Sequence, residues 1–88
     1  MSAHSHTIDF YGLSTCIHCK HAREFLEQNS VDCKPVYVDL LEGEERGKAL
    51  DVVRHYNPNI SFPTIIIDKG KEVVVGFQPE RLTKVLEL

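Results

Sequence analysis

Long apolar runs are missing from this chain. The longest, Ile65 to Ile67 and Val73 to Val75, are far short of the roughly 20 residues needed to cross a bilayer. A basic excess is missing too. Ten Lys and Arg stand against 13 Asp and Glu, a formal net charge of -3, so the chain has no electrostatic footprint for nucleic acid. Cysteine is sparse: three residues in 88, an odd number and too few for a disulfide scaffold. The first residues, M-S-A-H-S-H-T, carry neither a basic start nor an apolar stretch, so no signal peptide is expected and the expected location is the cytoplasm. Repeats, linkers and low-complexity segments are absent as well. What remains is the composition of an ordinary globular protein, 42% hydrophobic and 26% charged, with the length of one small domain. The expectation is a single domain over 1–88, with 1–6 as a loose tail.

The elements alternate in type. Thr7 to Tyr11 (T-I-D-F-Y) reads as a strand that Gly12 breaks. Ser14 or Thr15 is placed to cap a helix whose apolar face is Cys19, Ala22, Phe25 and Leu26. Asn29 and Ser30 end it. Lys34 to Leu40 reads as a second strand, with Pro35 tolerable only at its start or edge. A second helix opens at Gly43, and its stripe is Ala49, Val52, Val53 and Tyr56; Asn57-Pro58-Asn59 stops it. Thr64 to Asp68 is apolar enough to be a strand buried on both faces. Turn residues Asp68 to Lys71 then lead into a fourth strand, Glu72 to Val75. Pro79 suits the first position of a last helix, with Leu82, Val85 and Leu86 inward. The order β-α-β-α-β-β-α implies a parallel first pair, a later antiparallel hairpin, and a four-stranded mixed sheet with helices on both faces.

The residues that carry chemistry are in S-T-C-I-H-C-K. Cys16 and Cys19 are three apart at the junction of a strand's exit loop with a helix. At such a helix start, free N–H groups and the positive dipole end favour a thiolate, so Cys16 is expected to be exposed and nucleophilic. Cys19, one turn further in, is expected to be shielded and within bonding reach. His18 and Lys20 supply nearby positive charge that would tune the Cys16 thiol. A protonated His18 is expected to raise the reduction potential to roughly −210 to −170 mV. The same spacing also serves metal sites, but zinc needs two further ligands. Cys33 stands alone, His4 and His6 lie in the expected tail, and His21 points to another side of the helix. Cys33 reads as a small half-buried hydrophobe. His4, His6, His21 and His55 read as surface residues. Glu42, Glu44 and Glu45 suit the dipole at the start of the second helix. The second signal is Ser61-Phe62-Pro63-Thr64: a proline entering a buried strand calls for a special backbone geometry, a cis bond among the possibilities.

Taken together, C-I-H-C-K, F-P-T and V-G-F-Q-P-E-R-L resemble a glutaredoxin, in element order and motif spacing from Thr7 to Leu86. The resemblance implies a thioredoxin-like fold, Cys16 as attacking thiol and Cys19 as resolving thiol. It also implies a cis Pro63 against the pair, with the Phe62 backbone pairing to an extended substrate. Thr64, Gly76 and Phe77 complete the substrate-binding set, and Tyr11 is expected to reach its rim from the sheet. No bound cofactor is implied. The partners are disulfide-bearing proteins and an external reductant, either glutathione or a thioredoxin reductase, acting on a monomer. The chain also departs from the family pattern. Ile17-His18 stand where Pro-Tyr is common, and no basic residue precedes Cys16. Gly76-Phe77-Gln78-Pro79 lacks the Asp that holds glutathione. G-F-Q-P-E-R-L instead resembles the glutaredoxin-like redoxins that serve ribonucleotide reductase. Weak glutathione binding is therefore expected. Two other readings stay open: an iron–sulfur carrier joining Cys16 of two chains with glutathione, and a zinc module.

Overall fold

The computed structural model describes residues 6–88. Its elements run β1 (Ile8–Gly12), α1 (Ile17–Gln28), β2 (Val36–Tyr37), α2 (Gly43–Tyr56), β3 (Thr64–Ile67), β4 (Glu72–Val75) and α3 (Pro79–Leu86). The sheet order is β2-β1-β3-β4. β1 is parallel to β2 and antiparallel to β3, and β3 and β4 form an antiparallel pair. This is the expected four-stranded mixed sheet with three helices.

Alternation along the strands sorts the core. Phe10, Ile65, Ile67 and Val74 meet Cys19, Ala22 and Leu26 of α1 and Leu82 and Leu86 of α3 in one buried cluster. Ile66, between two members of that cluster, turns to the other face, where α2 buries Ala49 and Val53. All four β3 residues are buried, as a central strand covered on both sides should be. In α3, proline at the first position and a left-handed residue, Glu87, at the end bracket two inward turns.

Several boundaries differ from expectation. β2 keeps only Val36–Tyr37, because Val38–Leu40 close into a 3-10 turn that buries Val38 and turns Asp39 back toward Ser14. β1 extends through Gly12, which pairs with Tyr37 instead of ending the strand. Asp68 leaves β3 with a positive φ of 53°, and its carboxylate accepts hydrogen bonds from His6 and the Thr7 N–H. His6 is thereby tied down, not part of a loose tail. His4 and the rest of that expected tail, residues 1–5, lie outside the described residues. On α2 the stripe is narrower than expected, since Val52 is exposed.

Candidate active site

The cap of α1 is neither Ser14 nor Thr15. It is Cys16. Its backbone is extended (φ −87°, ψ 121°), and its sulfur accepts from the Cys19 N–H at 3.4 Å, as a serine oxygen does at other helix starts. Ser14 is engaged elsewhere: its N–H donates to Asp39 Oδ1 at 2.9 Å and its hydroxyl to Asp39 Oδ2. That exposed pair pins the β1–α1 loop to the turn after β2.

One helical turn separates two different thiols. Cys16 is half-exposed; Cys19 is 1% exposed, inside the core cluster. Partial burial alone would push the Cys16 thiol up. Hydrogen bonds from the Cys19 side chain and from the Cys19 and His18 N–H groups outweigh it and hold the thiol below its ordinary value. Burial pushes the Cys19 thiol up to about 12, against a Leu13 N–H that donates to its sulfur at 3.4 Å. A sulfur of the first kind is a ready anion that outside reagents can reach. The second stays protonated until something changes around it.

Gly12 lets the second thiol sit so close to the sheet. A Cβ there would lie 3.1 Å from Cys19 Sγ and 3.0 Å from a Phe10 ring carbon. The sequence offered only a strand-breaking glycine; its use is close packing.

The segment entering β3 carries the other residues that the resemblance assigned to the site. The Phe62–Pro63 peptide bond is cis, Phe62 is half-buried against the core cluster and Pro63 is buried. Pro63 O accepts from the Gly76 N–H at 2.8 Å, which extends the β3–β4 pairing by one bond past Thr64 and Val75. Gly76 has φ +81°, a left-handed conformation that suits glycine. Phe77 packs edge-on against Phe25 and tilts over His21.

Two of the expected substrate-binding residues sit elsewhere. The Thr64 side chain is fully buried, and its hydroxyl donates to Ser61 O at 2.7 Å. Its role is to support the loop from behind. Tyr11 lies with α2 on the opposite sheet face from Cys19, in a groove that includes Val36, Leu41, Ala49 and Val52. Strand alternation explains this, because Phe10 and Gly12 already face the cysteine side.

Sequence reasoning missed Asn57, which it read only as a helix stop. Asn57 is buried, and its side-chain amide donates to Ser61 O, Ser61 Oγ and Thr64 Oγ1 at 3.2, 3.0 and 3.2 Å. One amide thus ties the end of α2 to both sides of the Phe62–Pro63 step. An Asn-Pro-Asn stretch shortly before Ser-Phe-Pro-Thr was the available signal.

His18 and Lys20 are exposed. The contribution of His18 to the Cys16 sulfur is its backbone N–H. Cys33 is half-buried, and burial raises its thiol pKa. Among the described residues, no three His, Cys, Asp or Glu side chains converge as metal ligands, and no helix is long and apolar enough to cross a membrane.

The glutaredoxin family model matches residues 8–73, which include Cys16, Cys19 and the Phe62–Pro63 step. The chain belongs to the glutaredoxin family. Solved glutaredoxin-family structures agree. The glutaredoxin from Methanosarcina mazei Go1 is 38% identical, with a TM-score of 0.85 over 96% of this chain and 87% of that one. Methanosarcina acetivorans methanoredoxin is 41% identical, with a TM-score of 0.86 over 92% of this chain and 84% of that one. The glutaredoxin-like NrdH-redoxin from Escherichia coli is 20% identical, with a TM-score of 0.70 over 89% of this chain and 92% of that one, a likeness of fold. Among curated proteins no sequence match is found.

Proposed function

We propose that the chain is a dithiol oxidoreductase that reduces protein or small-molecule disulfides through Cys16 and Cys19. One observation carries the reading. A half-exposed sulfur caps a helix with its thiol pKa lowered, and a buried, protonated thiol stands one turn behind it. The Cys16 thiolate attacks a substrate disulfide, a Cys16–substrate bond forms, and the other half leaves as a thiolate that takes up a proton. Cys16 then no longer carries the negative charge that opposed ionisation of Cys19. The Leu13 N–H is in place to favour the Cys19 thiolate, which attacks Cys16 and releases the second substrate thiol. The product is a Cys16–Cys19 disulfide, which an external thiol or reductase reopens.

Phe62 offers its backbone to an extended substrate beside the pair, and Phe77 supplies an apolar rim. Because Pro79 stands where the family resemblance expects Asp, glutathione is a weak reductant for this protein and a thioredoxin reductase the better one. No bound cofactor is needed.

The roles are separable by substitution. Cys16→Ser should abolish exchange, whereas Cys19→Ser should accumulate a mixed disulfide with a model protein substrate, read by mass spectrometry. Exchange surviving in Cys16→Ser would refute the assignment. The reductant is resolved by comparing turnover with glutathione and glutathione reductase against NADPH and thioredoxin reductase; faster turnover with glutathione would overturn that choice.

A further inference from the structure

The sheet face turned away from Cys19 is incompletely covered. Between β1, β2 and α2 runs a groove of ≈ 470 Å³, lined by Tyr11, Val36, Leu41, Ala49 and Val52, with Glu45 and Lys48 completing its α2 side. Four large apolar side chains are exposed among the described residues, and two of them belong here. They are Val52, 36% exposed, and Leu40, 66% exposed and next to Leu41 in the chain. Apolar side chains gathered beside an apolar groove mark a contact surface, as single scattered ones do not. Strand pairing is not what this edge offers. β2 is an outer strand of only two residues, and Pro35 just before it has no N–H to give.

The charges indicate what covers the groove. Glu45, Lys48 and Val52 share one face of α2, at i, i+3 and i+7. Glu45 and Lys48 are exposed, and neither has an ion-pair partner among the described residues. A patch that sets an acid beside a base, and a protruding Leu40 beside a groove, is complementary to itself. We propose that this face is a two-fold interface with a second copy of the chain, in place of the monomer that the resemblance implied. Two α2 helices meet antiparallel, so that Glu45 faces the partner's Lys48 and Lys48 faces the partner's Glu45. Leu40 of each copy enters the groove of the other. An isologous contact of this kind closes at two copies and leaves no matching surface for a third. Cys19 packs on the opposite face of the sheet, so both cysteine pairs stay open to substrate in the dimer.

The test is sedimentation velocity of the reduced protein in a phosphine reductant, which excludes dimers linked by disulfides. Concentration runs from about 10 µM to about 1 mM, the range in which small interfaces dissociate. The mass should rise from 10.0 kDa towards twice that value. Glu45→Lys and Lys48→Glu each set like charges opposite one another at both contacts, and each should raise the dissociation constant about tenfold or more. Mixed in equal amounts, the two variants should recover most of the parent's affinity, because their heterodimer again sets acid against base at both contacts. Leu40→Asp, at an exposed position, should weaken the dimer without lowering Tm. Cys16 alkylation should be unchanged in all three variants. A parent that keeps the monomer mass up to about 1 mM overturns the proposal and leaves the groove to another protein or a small molecule. Dimerisation that ignores the three substitutions, or a mixture no tighter than its components, overturns it as well. Cys16 alkylation that slows as the parent dimerises would put the interface at the cysteines instead.

Discussion

Two loops, the one before Cys16 and the one entering β3, are held by opposite means. The β1–α1 loop is fastened by an exposed pair, Ser14 with Asp39. The loop carrying Phe62 and Pro63 is fastened from inside, by the buried Asn57 amide and the Thr64 hydroxyl. Exposed polar pairs exchange one set of partners for water and are screened by salt; buried ones leave orphaned donors or acceptors when cut. The loop before Cys16 should therefore yield readily, and the loop entering β3 should be stiff.

Asn57→Ala tests the stiff loop and should have the largest effect. It removes three hydrogen bonds that tie the end of α2 to this loop, each worth about 0.5–1.5 kcal/mol net, for a total of about 1–3 kcal/mol. For a protein of this size that is a fall in Tm of roughly 5–15 °C. KM for a protein disulfide should rise more than the alkylation rate of Cys16 falls. A negligible change in Tm would break the comparison.

Gly12→Ala probes the root of the loop before Cys16, where the backbone packs closely on Cys19 and Phe10. The added methyl crowds Cys19 Sγ and Phe10, a strain of about 1 kcal/mol or more that thermal unfolding would read. Unchanged stability would show that Cys19 has room to move.

Ser14→Ala should cost less, and the cost should depend on pH. The Ser14 hydroxyl and N–H depress the Asp39 pKa, so this contribution is fully present above the unfolded carboxylate pKa. It is lost as pH falls through the lower, folded value. The variant and the parent should therefore differ in Tm at neutral pH and converge in acid. A difference that grows in acid would contradict this.

The smallest expected effect is that of His18→Ala. The His18 group acting on the Cys16 sulfur is a backbone N–H, which alanine retains. The pH midpoint of Cys16 alkylation should hardly move. A clear upward shift would restore the imidazole tuning that the sequence suggested.

The strands, helices and cysteine positions were legible because they rest on local periodicity and on one short motif. Ile65 to Ile67 and the Leu82–Leu86 stripe declare burial by themselves. What stayed hidden depends on which distant groups meet. Ser14 is an acceptable helix cap until Asp39, 25 residues away, takes its hydroxyl, and the cap passes to Cys16. Asn57 is an ordinary helix stop until the chain returns and places Ser61 and Thr64 around its amide. Tyr11 alternates correctly, but only the packing of α1 on the Phe10 face shows that Tyr11 looks away from the cysteines.

The central claim is that two thiols one turn apart are made unequal by their surroundings. The most direct measurement is alkylation of the reduced protein with iodoacetamide across pH 5 to 10, with both sites quantified by peptide mass spectrometry. Cys16 should react with a midpoint below the ordinary thiol value, while Cys19, its thiol pushed up to about 12, stays unmodified throughout. Equal rates at the two cysteines, or a Cys16 midpoint above the ordinary value, would contradict the account.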